Sequence, residues 1–175
     1  MRTFFFAVIV ATLAIAYTGN TAAAPSPVDV EAKISAKLVE AFGHDALTIR
    51  VTYFDGEAIL TGKVVERSTQ ELAEQVALFF SEVSKVDNQL RAEKDRNLMD
   101  GQLQDEGFDA MLESEAKAAL AGEIGSHAKE MNVEAADGVV AVRGTVPDEE
   151  RRKLALDALA SVSRISKVID LLRVK

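Results

Sequence analysis

The two histidines and a group of basic side chains are the candidate residues for chemistry in this sequence, which contains no cysteine. The two histidines, His44 and His127, each follow a segment with helical periodicity. A cation near the C-terminal end of a helix is stabilised by the helix dipole, so we interpret both as helix-end residues. No Ser-His-Asp arrangement, zinc-ligand spacing or phosphate-binding glycine loop accompanies them. The sequence therefore predicts neither an enzyme nor a metal or cofactor site.

Basic residues near the end of the chain are the second candidate. They surround a short acidic run, Asp148-Glu149-Glu150, which is typical of the start of a solvated helix. Alternatively, they form a patch for lipid headgroups or for an acidic protein surface; this patch comprises Arg143, Arg151, Arg152, Lys153, Lys167 and Arg173. A local patch can act although the formal net charge is −8, because the Debye length is about 8 Å at physiological salt. The acidic balance excludes a typical nucleic-acid binder, which needs a basic face to neutralise phosphates.

An ungapped repeat organises the chain. Residues 28–93 align with residues 110–175 at a constant offset, and apolar positions agree along both segments. Repetition over this length indicates two tandem copies of one small domain. The matching motif residues are Asp55, Gly56 and Gly62 in the first copy and Asp137, Gly138 and Gly144 in the second. We therefore assign a first domain to 28–93, a linker to 94–108 and a second domain to 109–175.

Each copy has the pattern helix, strand, strand, helix, strand. In the first copy, Val30, Ile34 and Leu38 recur at helical spacing, and alternation around Val51 predicts a half-buried strand. The Asp-Gly pair suits a two-residue hairpin turn, in which both central residues have positive φ. A glycine inside the next strand indicates a close backbone approach, and we expect a helix to pack tightly over it.

The order of these elements predicts the fold class. A helix that connects two strands of one sheet crosses over and covers a face of that sheet. We therefore expect an α+β fold: two tandem αββαβ modules, each a two-layer sandwich with a three-stranded mixed sheet covered by two helices.

Phe79 is a candidate for a contact outside its own core. Adjacent helix residues point in different directions, so Phe79 and Phe80 cannot both lie on the main apolar stripe. The second copy has Ser161 where the first has Phe79. Three interpretations stay open: packing between the modules, contact with a partner or client protein, and ordinary core packing.

The first 23 residues have the layout of a secretory signal peptide. Arg2 precedes an apolar run over residues 4–17, and small residues of Ala-x-Ala type follow. The run is shorter than the roughly 20 residues that span a bilayer as a helix; an uncleaved anchor is the alternative. A chain without cysteine has neither a disulfide framework nor a lipid attachment site. We expect an exported, soluble, non-lipidated protein, which in a Gram-negative cell is periplasmic.

The ordered motifs resemble those of the BON family (bacterial OsmY and nodulation domain). The resemblance is carried by the Asp-Gly hairpin, a Val-x-Val-x-Gly-x-Val strand at 140–146, an Ala-rich helix, and a closing strand with Val168, Asp170 and Leu172. It covers almost the whole chain after the signal peptide, as two modules. The resemblance implies an αββαβ fold without catalysis and a role at the bacterial envelope. In some members this role is phospholipid association, and in others chaperone-like assistance under osmotic stress.

On this basis the sequence predicts a non-catalytic binding protein of the cell envelope. It contacts phospholipid surfaces, or acts as a chaperone for exported and outer-membrane proteins under stress. The acidity weakens the case for anionic lipid, because like charges repel at a membrane surface. Two tandem modules would gain affinity through effective concentration. The alternative is an adaptor that docks one specific envelope protein; no oligomeric state is predicted.

Overall fold

The computed structural model describes residues 25–93 and 102–175, so the signal peptide predicted for 1–23 lies outside the described residues. The first module begins with α1 (Pro27–Phe42), which a 3₁₀ helix (Gly43–Thr48) follows. It continues with β1 (Arg50–Phe54), β2 (Glu57–Val64), α2 (Arg67–Ala77) and β3 (Lys85–Ala92). The second module begins with α3 (Gln102–Ile124) and a 3₁₀ helix (Gly125–Glu130). It continues with β4 (Asn132–Ala136), β5 (Val139–Val146), α4 (Glu149–Ala160) and β6 (Lys167–Val174).

The two modules contain the same three-stranded mixed sheet. Sheet A has the order β1-β2-β3 and sheet B the order β4-β5-β6. In each sheet the first two strands form an antiparallel hairpin, and the third strand is parallel to the second. The register also repeats, since Val51 lies opposite Leu60 and Val133 opposite Val142. The predicted fold class, α+β with two tandem αββαβ modules, is confirmed.

The Asp-Gly turns have the same conformation in both hairpins. Asp55 has φ 47° and Gly56 has φ 83°, and the second hairpin repeats these values closely. Positive φ at both central residues is the geometry of the two-residue turns that match the twist of antiparallel strands. In the first hairpin, Ser84 donates to the carbonyl of Gly56 from its backbone N, at 2.8 Å, and from its hydroxyl. The turn is thereby attached to the loop before the third strand.

The strand glycines lie against the end of the 3₁₀ helix, not beneath a covering helix as we expected. A Cβ at Gly62, which has φ 143°, would fall well inside the van der Waals distance of the Thr48 carbonyl oxygen. At Gly144 the corresponding neighbours are the Glu130 carbonyl oxygen, at 3.2 Å, and Met131. The close backbone approach is therefore present at both sites. Its partner is the segment that leads into the first strand.

The first helix of the second module extends into the predicted linker. Helix α3 starts at Gln102, so residues 102–108 of the predicted linker belong to a helix. Gly107 lies within that helix, and a Cβ there would meet nothing within 4 Å. A single helical glycine costs only about 1 kcal/mol relative to alanine, which the length of this helix offsets.

Apolar residues that face the helices form the core of each module. In the first module, Val30, Ile34 and Leu38 of α1 are buried against Leu60 of the sheet and Leu72 of α2. The second core repeats this arrangement with its own residues: Leu112, Ala116, Leu120, Val140, Val142, Val146, Ala155 and Leu159. In each module, the two helices therefore cover one face of the sheet.

The two modules also stack on each other. Four buried residues of sheet B join the apolar core of the first module: Ala136, Ala141, Ile169 and Leu171. They lie on the face of sheet B that α3 and α4 do not cover, and α2 contacts β4 and β5 there. The layers therefore follow the order sheet A, α1 with α2, sheet B, α3 with α4. Sheet B is covered on both faces, whereas sheet A is covered on one.

Side-chain oxygens accept hydrogen bonds from backbone amides of the edge strands. Glu31 Oε1 accepts from the backbone N of Tyr53 in β1, at 2.9 Å, and Glu113 repeats this contact with Ala135 in β4. On the opposite edge of sheet A, Asn88 Oδ1 accepts from the N of Leu90. Asp170 does the same for Leu172 in sheet B. Each of the four edge strands thus has one amide paired with a side chain.

Candidate functional site

The interface between the modules contains an ion-pair cluster centred on Arg67, the first residue of α2. Its guanidinium forms an ion pair with Asp109 of α3 and lies 3.1 Å from Oδ1 of Asp137, in the second hairpin turn. It also lies 3.0 Å from Oε1 of Glu71. Asp109 in turn accepts from the backbone N of Asp137, at 3.1 Å. One cation therefore holds three carboxylates, two of them from the other module.

Burial shifts the pKa values of this cluster. Desolvation raises the pKa of Asp109, and the hydrogen bond and charge of Arg67 offset this only in part. Desolvation also raises the pKa of Glu71 against the attraction of Arg67. Burial lowers the pKa of Arg67, but its hydrogen bond to Asp109 and the neighbouring carboxylates outweigh burial and raise it. The cluster thus binds its protons more tightly than free carboxyl groups do.

A second polar cluster surrounds Gln75 of α2, which is buried. Its amide nitrogen donates to Glu134 Oε1 at 2.7 Å. Its amide oxygen accepts from Asn132 Nδ2 at 3.0 Å and from Arg143 Nε at 3.1 Å. Both the donor and the acceptor groups of this buried amide are therefore satisfied by sheet B, as burial of a polar group requires.

Two cations of sheet B contact the ends of the first module's helices. Lys167 Nζ donates to the carbonyl of Ala41 near the end of α1 and lies 6.0 Å from the ring centre of Phe42. Arg173 donates to the carbonyl of Phe79, just after α2, and lies 5.2 Å from the ring centre of Phe79. Cations interact favourably with helix C-terminal carbonyls and with aromatic faces. Both side chains therefore stabilise the contact between modules.

The structure divides the predicted basic patch between two places. Arg143, Lys167 and Arg173 lie at the interface between the modules. Arg152 forms an ion pair with Asp170, 2.6 Å away, whose hydrogen bond raises the pKa of Arg152. Arg151 and Lys153 are exposed on α4. The six residues thus do not form one continuous basic surface.

Phe79 lies in the interface, half-buried against the core of the first module. Its ring meets that of Phe80 edge-to-face at 5.3 Å and has Lys37 on it at 5.5 Å. The histidines both lie in the 3₁₀ helices that follow α1 and α3, and His44 lines a cleft of about 630 Å³ beside Val65.

Sequence reasoning missed the Arg67 and Gln75 clusters, although the repeat contains a signal for them. On the outward side of α2, Thr69 and Gln75 are buried, whereas their counterparts Arg151 and Asp157 on α4 are exposed. An uncharged residue in one copy that aligns with an exposed charge in the other indicates which copy is covered. That comparison points to the outer side of α2 as a contact surface.

Exposed apolar side chains form the other notable surface feature. Phe54 at the tip of the first hairpin is 77 % exposed, Leu47 60 % and Val65 47 %. All three belong to the first module. In the part of the chain that the structure describes, no three metal-binding side chains are grouped to hold an ion. Within the same residues, every helix is too short or too polar to cross a bilayer.

Comparison with known proteins places both modules in one family model. The model described as BON domain matches residues 28–94 and 108–175. An Anaplasma centrale protein described as "Uncharacterized protein in gshII 5'region" is 25% identical over 143 residues, which cover 82% of this chain and 91% of that protein. Among solved structures, the chain is similar to the C-terminal domain of CdsD, a structural protein of the type III secretion system of Chlamydia trachomatis. The identity is 15%, the TM-score is 0.32, and the match covers 86% of this chain and 100% of that one. A second CdsD structure gives a TM-score of 0.33 at 15% identity, over 84% and 92% of the two chains.

Proposed function

The chain belongs to the BON domain family, and we propose that it is a non-catalytic binding protein of the bacterial envelope. The predicted signal peptide supports export, and the family supports a role at the envelope. Within that role, we infer that the protein binds exported or outer-membrane client proteins in a chaperone-like manner, under stress such as osmotic stress. The location that fits this role is the periplasm.

The contacts of the basic residues are the observation that supports client proteins over anionic lipid. Arg143, Lys167 and Arg173 are engaged between the modules, and Arg152 is paired with Asp170. Of the six residues of the predicted patch, only Arg151 and Lys153 are then left to neutralise anionic headgroups, and the chain as a whole is acidic. Because like charges repel at a membrane surface, the remaining surface favours protein over anionic lipid.

The exposed apolar residues of the first module are the proposed client-binding surface. Phe54, Leu47 and Val65 offer exposed apolar contacts. Weak apolar contacts suit transient binding to unfolded segments of varied sequence. The negative net charge keeps the protein and its bound clients soluble, since charge of one sign opposes association.

Aggregation of an unfolded outer-membrane β-barrel protein diluted from urea tests this proposal. The exported chain should suppress light scattering, and Phe54→Ser with Leu47→Ser should reduce suppression several-fold. Val174→Ser is the matched control, because Val174 is also exposed but lies in the second module. Suppression that the double variant retains in full, or that the chain never provides, would contradict client binding through this surface.

Phospholipid binding remains the second candidate because Arg151 and Lys153 are both exposed near the start of α4. It predicts flotation with anionic but not neutral liposomes, stronger at low salt, and lost in Arg151→Glu with Lys153→Glu. Absence of flotation in every condition would remove this candidate. Recovery of one stoichiometric envelope protein after cross-linking would instead favour the adaptor role.

A further inference from the structure

Among the described residues, one outer surface of each module does not contact the other module. In each case the repeat-equivalent surface does take part in the contact between the modules. The internal contact joins the outer side of α1 and α2 to the outer face of sheet B. The outer face of sheet A and the outer side of α3 and α4 are the repeat equivalents of those surfaces. We propose that a second copy of this chain docks head-to-tail, with α3 and α4 of one copy on the outer face of sheet A of the next.

The cations that hold the internal contact are present on sheet A as well. Lys85 and Arg91 occupy the positions that Lys167 and Arg173 occupy in sheet B. Both are exposed in sheet A. Arg91 has no charged partner among residues 25–93 and 102–175, and Lys85 pairs with the half-buried Glu57, 2.6 Å away. The first copy thus has the corresponding cations on a sheet face that no other element of the described residues covers.

The outer side of α3 and α4 is complementary in charge. In the internal contact, Lys167 meets the end of α1 at Ala41, and the repeat equivalent of Ala41 is the exposed Glu123. The same geometry between two copies therefore brings Lys85 to Glu123. This pair has opposite charges where the internal contact has a lysine and a carbonyl.

A second pair follows from the Gln75 cluster in the same way. Gln75 aligns with the exposed Asp157 of α4, and its partner Asn132 aligns with Arg50 of sheet A. Docking therefore also brings Arg50 to Asp157. The same alignment turns the Arg67–Asp137 pair into the like-charge pair of Glu149 and Asp55. Two opposite-charge pairs against one like-charge pair favour a second copy of this chain as the occupant.

The contact between copies is weaker than the contact within the chain. Val139, Ile169 and Leu171, which face the first module, align with Glu57, Asp87 and Gln89 on sheet A, whereas Ala136 and Ala141 align with the apolar Phe54 and Ile59. With this smaller apolar area, attraction depends more on exposed charges, which salt screens over about 8 Å at physiological ionic strength. A head-to-tail contact does not close on itself by symmetry, so copies add into short open chains. We therefore expect reversible self-association that salt suppresses.

Sedimentation velocity of the exported full chain over a concentration series tests this proposal. At low ionic strength, the weight-average sedimentation coefficient should rise with concentration, and salt at about 0.15 M should reduce the rise. Lys85→Glu should weaken association by about tenfold or more, which corresponds to 1.4 kcal/mol. Adding Glu123→Lys to Lys85→Glu should restore it, because each contact between copies regains one opposite-charge pair.

The control variant is Lys33→Glu, which makes the same charge change on α1, away from both docking faces. It should associate as the unsubstituted chain does, and circular dichroism verifies that each variant is folded. A chain that stays monomeric at every concentration in low salt overturns the proposal. So does association that Lys85→Glu leaves unchanged, or that the double variant fails to restore.

Discussion

Arg67 and Asp109 form an ion pair that joins the two modules across their interface. Their side chains are only 14% and 9% exposed, and Asp109 has no equivalent acidic residue in the first copy, where Pro27 aligns with it. The pair therefore belongs to the contact between modules and not to the fold of either one. Its removal should reveal how far the modules depend on each other.

Arg67→Ala should destabilise the folded chain by about 3 kcal/mol, because it leaves the buried carboxylate of Asp109 without its cation. Urea unfolding measures this loss. Lys33→Ala is the control, since Lys33 pairs with Glu82 on the surface and such pairs contribute about 1 kcal/mol or less. Equal effects of the two substitutions would show that the Arg67 cluster does not hold the interface.

The same cluster predicts a pH dependence. Because the pKa values of Asp109 and Glu71 are raised in the folded chain, the folded state binds their protons more tightly than the unfolded state. Their contribution to stability is complete below the unfolded values of about 4 and is lost as pH rises through the raised pKa values. Urea midpoints measured from mildly acidic to neutral pH should fall.

Asp109→Asn should reduce that fall, since asparagine does not titrate. Asp157→Asn, which removes an exposed carboxylate from α4, is the matched control. An unchanged slope in Asp109→Asn would place the pH dependence elsewhere.

The two strand glycines should differ in their tolerance of alanine. Gly62→Ala combines a φ of 143° with a clash against the Thr48 carbonyl oxygen, and should cost roughly 3 kcal/mol. At Gly144 the backbone has no positive φ, and the nearest atom to a new Cβ is Met131 Cγ at 3.1 Å. The Met131 side chain can move, and the Glu130 carbonyl oxygen, 3.2 Å away, needs to shift by only a few tenths of an ångström, so Gly144→Ala should cost about 1 kcal/mol. Thermal unfolding of both variants checks the order, and the reverse order would refute this account.

Basic residues at the interface and basic residues on the exposed surface of α4 should affect different properties: stability in the first case and liposome flotation in the second. Arg173→Ala should lower stability by about 1 kcal/mol, because it removes a helix-end and ring contact with Phe79. It should leave liposome flotation unchanged. Arg151→Ala should leave stability within about 0.5 kcal/mol, as is usual for exposed positions, and any flotation should decrease. Flotation that depends on Arg173 would place the headgroup contact at the interface and contradict the division.

The repeat made the fold predictable. The contact between the modules was not predictable in the same way, because it depends on which sheet face is covered, and the type of a single residue does not show this. Apolar periodicity and the Asp-Gly pairs specify the elements of each module, because these patterns reflect local geometry and burial. Lys167 and Lys85 are the same residue at the same place in the repeat, yet Lys167 contacts a helix end of the other module and Lys85 pairs with Glu57 on its own sheet. The difference resides in their neighbours, Ile169 and Asp87, which make one sheet face apolar and the other charged.

Helix α3 shows a second limit of sequence reasoning. Gly107 suggested a linker, because glycine is unfavourable inside helices. The structure continues the helix through it, since packing of Leu112, Ala116 and Leu120 offsets one unfavourable residue. Local propensity was therefore outweighed by the core.

The side chains that accept hydrogen bonds from edge-strand amides bear on whether another polypeptide can add to the sheets. An open strand edge invites another polypeptide to add a strand, which is the first step of β-aggregation. Glu31, Asn88, Glu113 and Asp170 each occupy an amide that such a strand would need. A protein with edges blocked in this way can meet aggregating neighbours through its side chains without becoming a template for their fibrils.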